Sequence, residues 1–97
     1  MRGINKVILL GNVVFPADPE KYPAAGYVRF DLAVTSATLD GGEVINQIPC
    51  LASGKLAEVI NQFATEGRSI YLEGKLRPFK DILVVEIDTL QLLQVSA

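Results

Sequence analysis

Apolar and polar residues alternate along most of this chain, in stretches of strand length. Lys6 to Phe15 is dense in β-prone residues and broken only by Gly11, which predicts a first strand with a bulge or bend at that glycine. The segment from Phe15 to Gly26 holds three prolines and is expected to be a long loop, stiffened where they fix the backbone. From Tyr27 to Thr35 the alternation is regular. Val28, Phe30, Leu32 and Val34 are assigned to the core, and Tyr27, Arg29, Asp31, Ala33 and Thr35 to the outside. Asp40-Gly41-Gly42 predicts a turn and Glu43 to Ala52 a third strand. Pro49 lacks an N–H, so it marks an edge or a bulge there.

The period then changes. Ser53 is placed as the cap of a helix over Lys55 to Glu66, in which Leu56, Val59, Ile60 and Phe63 fall at i, i+3, i+4 and i+7 and Gly67 ends the run. Alternation returns from Ser69 to Phe79. Ile70, Leu72 and Leu76 are assigned inward with Gly74 between them, and Tyr71, Glu73, Lys75, Arg77 and Phe79 outward. Lys80-Asp81 makes a tight connection to a last strand, Ile82 to about Leu93. Three strands, a helix and two strands in 97 residues is the order of an OB fold. The expectation is therefore an all-β class with little helix: one domain over residues 1–97, a five-stranded Greek-key barrel with its helix between the third and fourth strands.

Composition narrows the function classes. At 49% hydrophobic and a mean hydropathy of +0.31, the chain is far from a disordered composition. Apolar runs such as Val7 to Leu10 fall well short of the ~18 residues that span a membrane, and the N-terminus lacks the pattern of a secretory signal. The expected location is the cytoplasm, on the nucleoid if the chain binds DNA, with no membrane partner. A single cysteine and no histidine argue against an internal disulfide and against Cys/His metal sites, and no cofactor is implied. Cys50 has no basic neighbour in sequence and no histidine to activate it, so it is read as a half-buried strand residue rather than a nucleophile. The carboxylates are spread thinly, which makes an enzyme with a small-molecule substrate unexpected. The net charge of −2 and pI of about 5.0 count against strong binding to phosphate backbones.

Against that stands an ordered set of motifs. Arg2-Gly3-Ile4-Asn5-Lys6-Val7-Ile8-Leu9-Leu10-Gly11-Asn12 resembles the opening of bacterial single-stranded-DNA-binding proteins. Asp18-Pro19-Glu20 is similar to that family's first-loop motif, and Phe30-Asp31-Leu32-Ala33-Val34-Thr35-Ser36 to its second strand. Gly54-Lys55-Leu56-Ala57-Glu58-Val59 resembles the start of its helix, and Gly67 with Tyr71-Leu72-Glu73-Gly74-Lys75-Leu76-Arg77 its fourth strand. The resemblance covers almost the whole chain. It implies a homo-oligomer, a tetramer rather than a dimer, that wraps single-stranded DNA over basic grooves and stacks bases on aromatic rings. On that basis Arg2, Lys55 and Arg77 stand at positions resembling DNA-contacting ones, and Lys6 lies in the matched opening motif. Lys75 joins them by its outward phase. Arg29 beside Tyr27, and Phe79 beside Arg77, add basic residues interleaved with aromatics.

The departures from the family are as informative. The chain has no tryptophan. Where the family carries aromatics, this sequence offers Thr38 or Leu39, then Asn46-Gln47, then Ser53, with only Phe79 near the last position. The hairpin there is short, so the long basic arm of many relatives is not expected. The sequence stops at Gln94-Val95-Ser96-Ala97, without the family's acidic recruiting tail, and that docking function is not expected of it.

Each candidate also has an ordinary explanation. The outward cations neighbour Asp31 and Glu73 as plain surface charge would, Tyr71 suits a subunit contact, and Tyr22 suits the barrel wall. Lys55 opens a helix, where its charge opposes the dipole. Ile8, Leu10, Ile45 and Ile48, all in outward phase, suit an oligomer seam or the cover of the helix. Two functions stay open: weakened, sequence-independent binding of single-stranded DNA in support of replication, recombination or repair, or an oligomeric barrel that has lost most DNA binding and serves as a protein-interaction or primosome accessory module.

Overall fold

The alternating stretches form five strands that close on themselves. The computed structural model describes residues 1–15 and 26–93, so the proline-rich loop with Asp18-Pro19-Glu20 and Tyr22, and the last four residues, lie outside the described residues. Strands β1 (Val7–Val14), β2 (Tyr27–Ala37), β3 (Glu43–Ser53), β4 (Ser69–Phe79) and β5 (Ile82–Leu92) make a closed barrel in the order β1-β2-β3-β5-β4. Helix α1 (Gly54–Phe63) sits between β3 and β4 in sequence and lies against β2, β3 and β5. This is the expected OB arrangement.

Closure depends on β1 serving two neighbours. Val7 to Asn12 pair with β4, and Asn12 to Val14 pair with β2. The change of partner falls at Asn12, next to Gly11, where a Cβ would overlap the Ala33 carbonyl oxygen. The glycine therefore marks a close backbone approach at a barrel corner. Pro49 also has its reason. β3 runs beside β2 throughout, but β5 joins its other side only at Cys50 and Leu51, so Pro49 falls just outside the two-sided stretch.

The core is built from the inward phase of every strand: Val13, Phe30, Leu32, Cys50, Ile70, Leu72 and Val85, plugged by Ile60 of α1. Several sequence expectations need correction here. Ile48 faces inward in register with Leu32 and packs on the core, because the bulge or slip that would have turned it outward is absent from the β2–β3 ladder. Cys50 is fully buried rather than half-buried, and burial pushes its thiol pKa up to about 12, which leaves it inert at neutral pH. The helix stops at Phe63 rather than Glu66, so Phe63 is half-exposed and the buried face runs through Ala57, Ile60 and Ala64. Gly67 instead turns the chain into β4, donating its N–H to the Val13 carbonyl at 2.8 Å. Ser53 holds the N-cap position in extended backbone, but its hydroxyl makes no capping bond.

Both long hairpins outgrow the barrel. β1 reaches β2 no further than Ala33 and β4 no further than Gly74, so Val34–Ala37 with β3, and Arg77–Phe79 with β5, project as two-stranded arms, while Lys75 and Leu76 still face Glu86 and Val85, which pair with β3 on their other side. This overturns the inward assignment of Leu76, which is 46% exposed: its phase is inward and it faces the buried Val85, but it lies past the end of the β1–β4 ladder.

Candidate nucleic-acid interface

Strand register brings residues far apart in sequence into one row on the outer surface. Arg29 of β2 pairs with Leu51 of β3, Leu51 with Glu86 of β5, and Glu86 with Lys75 of β4. In the next rows along the β4–β5 arm, Arg77 faces Val84 and Phe79 faces Ile82. Paired residues share a face and stand about 5 Å apart, so Arg29, Lys75, Arg77 and Phe79 belong to one surface. Leu51 and Val84 form its floor. Both are in outward phase and apart from the core cluster, yet Leu51 is only 4% exposed.

The arm tip bends this surface into a cleft. Lys80 and Asp81 form the two-residue turn, with Lys80 in left-handed backbone at φ 55°. Arg29, Phe79, Lys80, Asp81 and Ile82 line an open groove of about 450 Å³. The Lys80 ammonium stands 5.5 Å from the centre of the Phe79 ring, a cation–π distance. A basic, aromatic, apolar-floored groove of this kind accepts a base against a ring and a phosphate against a cation.

Its charges are mostly engaged. Arg29 bonds the Asp31 carboxylate, whose other oxygen accepts from Gln47 Nε2 at 2.7 Å. Asp31 was expected on the outside; it is on the outer face but only 8% exposed, covered by these two partners. Glu86 takes both β4 cations: Arg77 directly, and Lys75 at 3.7 Å. The hydrogen bond to Glu86 and its charge hold the Arg77 guanidinium still further above its usual pKa, with Tyr27 contributing least. Four cations and three carboxylates on this surface leave about one net positive charge.

The remaining candidates do not line the cleft, although Lys6 precedes Val7 and so stands beside Lys75 in register. Lys6 binds Glu73 at 2.9 Å, and Glu73 also accepts from the Tyr71 hydroxyl at 2.6 Å. The Tyr71 and Lys6 hydrogen bonds draw the Glu73 carboxyl below its usual pKa, and the bond to Glu73 raises that of Lys6. Arg2 and Lys55 are exposed and form no ion pair among the described residues, but neither lines the cleft. The segment carrying Arg2 and Lys6 is tied to the base of the arm by Asn5, whose side-chain amide donates to the Leu76 carbonyl at 2.8 Å and accepts from its N–H at 2.9 Å. Of the residues that stand where the family carries aromatics, Thr38 is locked into the β2–β3 turn, Leu39 is fully exposed and Gln47 serves Asp31.

Periodicity did not single out Lys80, Glu86, Gln47 or Asn5. Lys80 reads as a turn residue, and nothing local marks Glu86 as the partner of two cations nine and eleven residues earlier. Asn5 alone left a trace, as part of the opening motif.

Comparison with known proteins is consistent with this geometry. Residues 4–80 match the Single-strand binding protein family. The chain is 34% identical over 83 residues to single-stranded DNA-binding protein 1 of Chlorobaculum tepidum, covering 78% of this chain and 50% of that protein. It is 41% identical over 86 residues to the single-stranded DNA-binding protein of Bacteroides thetaiotaomicron, covering 76% and 50%. The chain thus matches about half the length of these curated relatives. Among solved structures, PriB from Ralstonia solanacearum superposes with a TM-score of 0.73 at 25% identity, over 94% of this chain and all of that one. The dimeric N-terminal domain of PriB from a Thermoanaerobacter species shares the fold, with a TM-score of 0.65 at 22% identity over 94% and 98%. With four-fifths of its residues inside the family match and an OB barrel underneath, this chain belongs to the single-strand binding protein family.

Proposed function

We propose that this barrel binds single-stranded DNA without sequence specificity, as a homo-oligomer, in support of replication, recombination or repair. One observation carries the reading: Arg29, Phe79 and Lys80, contributed by β2, the end of β4 and the turn that follows it, converge on one open groove, with Lys75 and Arg77 on the same surface. Stacking on Phe79 tolerates any base, and the cations meet phosphates rather than base edges. Membership of the family supports the choice of ligand.

Titration of a fluorescent oligothymidylate at low salt tests it. Wild type is expected to bind. Phe79→Ala loses a stacking contact, about 1–3 kcal/mol, and Arg77→Ala weakens binding by about three- to tenfold through a lost phosphate contact. No binding by wild type removes the reading; binding indifferent to both substitutions removes the site.

Oligomerisation rests on β1. Among the described residues, Val7 to Leu10 pair with β4 on one side and with no strand on the other, an open edge of the kind a second copy can pair with. Ile8 and Leu10 beside it are each 58% exposed. Light scattering is expected to report more than one chain per particle, and Ile8→Lys with Leu10→Lys to return it to a monomer; a wild-type monomer contradicts this. A dimer accommodates one shared β1 edge, whereas the tetramer implied by resemblance needs a second contact.

The second reading, a protein-interaction or primosome accessory barrel, is favoured by the engagement of Arg29, Lys75 and Arg77 with carboxylates of the same chain. It predicts the failure of the titration while the oligomer persists.

A further inference from the structure

The β4–β5 hairpin carries its own competitor for phosphate. Glu86 stands in the centre of the row that runs from Arg29 to Lys75, flanked by Leu51 and Lys75 across the strands. Its two oxygens are divided between two cations, one toward Arg77 and the other 3.7 Å from Lys75. A phosphate approaching either cation has to displace the carboxylate or share the cation with it, and it meets a like charge a few ångströms away. An exposed ion pair contributes little to folding. The carboxylate's main consequence therefore falls on whatever anion the surface receives.

Geometry separates Glu86 from the other acidic groups nearby. Asp31 is covered by Arg29 and Gln47, so neutralising it leaves a buried polar group to be satisfied again. Asp81 lies at the arm tip and forms no ion pair among the described residues. Glu86 alone is held by two cations of the proposed groove surface while keeping its side chain 23% exposed. Building on the single-strand reading above, we infer that Glu86 limits the affinity of this surface for nucleic-acid phosphates by occupying Lys75 and Arg77 in the free protein. DNA then exchanges with an internal carboxylate as well as with bound salt ions, which favours weak and quickly reversible association.

Glu86→Gln keeps the size and an acceptor oxygen while removing the charge. Oligothymidylate binding at low salt is expected to tighten by about three- to tenfold, and the log–log salt slope to steepen by about 0.7, the increment for one further phosphate neutralised on a single strand. Glu43→Gln makes the same charge change at the far end of β3, eight residues from Leu51 and roughly 26 Å away along the strand. It is expected to leave affinity unchanged. In a background of Lys75→Ala with Arg77→Ala, the gain from Glu86→Gln should vanish, since no cation is left to release.

The outcomes are distinguishable. Wild type binding with Glu86→Gln no tighter than Glu43→Gln overturns the inference and leaves the DNA reading standing. A gain that persists without Lys75 and Arg77 overturns it too, because the effect is then one of overall charge. Absence of binding in every protein removes the DNA reading and the inference with it.

Discussion

Phe30→Ala is expected to lower the melting temperature by about 15 °C or more, and to leave a substantial unfolded fraction at 37 °C. Phe30 is the largest of the fully buried side chains, and it faces Cys50, which in turn faces Val85 across the parallel junction. That junction is two residue pairs long and is the only link between β3 and β5. A cavity beside it loosens the weakest seam of the barrel. Truncating a buried Phe costs roughly 3–5 kcal/mol, against a total of roughly 5–15 kcal/mol for a domain of this size. Circular dichroism melts check the effect. A melting temperature within a few degrees of wild type would mean that the barrel does not depend on this seam.

Gly74→Ala is expected to be nearly as damaging, although it adds one methyl group. Gly74 is buried between Val7 of β1 and Ile87 of β5, at the point where the β4–β5 register shifts. A Cβ there would overlap the Glu86 carbonyl oxygen and lie 3.0 Å from its carbon and 3.1 Å from Val85 Cγ1. Two of these atoms are backbone and cannot swing aside, so the strands must part. We expect a loss of about 3 kcal/mol, the upper end of overpacking costs. Gly3→Ala, with nothing near its added methyl, should be neutral. DNA binding should suffer as well as stability, since the register at Gly74 sets Lys75 opposite Glu86 and aims the arm. A Gly74→Ala protein with unchanged melting and unchanged binding would contradict this account of the corner.

The fold was legible because its signals are periodic. Strand alternation needs only neighbours two apart, and it placed Phe30, Leu32, Ile70 and Leu72 inside as the structure has them. Ile48 was given the wrong phase, but the other errors share a cause: periodicity gives a residue's phase and not what lies opposite. Leu76 has the inward phase but lies past the end of the β1–β4 ladder, and Asp31 has the outward phase but is covered by Arg29 and Gln47. The Phe63 error is of the same kind, since helical spacing continued past the turn where the chain leaves the core.

The site was half legible. Arg29, Lys75, Arg77 and Phe79 could be named from phase and motif, and register gathers them on one surface. Lys6, Arg2 and Lys55 were named by the same reasoning, and the structure sets them apart from the groove. What sequence could not supply is pairing. Lys75 and Arg77 meet Glu86 only because a turn at Lys80-Asp81 folds β5 back on β4 in that register, and Arg29 joins them only through β3. The acidic balance of the chain, which counts against strong binding to phosphate backbones, thereby acquires a location: its carboxylates include those that hold Arg29, Lys75 and Arg77.

The most direct test of the central proposal is the salt dependence of wild-type binding to oligothymidylate. Three or so phosphate contacts predict a log–log slope of about −2, so affinity should fall on the order of 20-fold between about 50 and about 200 mM salt. Binding that is absent at the lower salt, or indifferent to salt across this range, would contradict the assignment of this surface to single-stranded DNA.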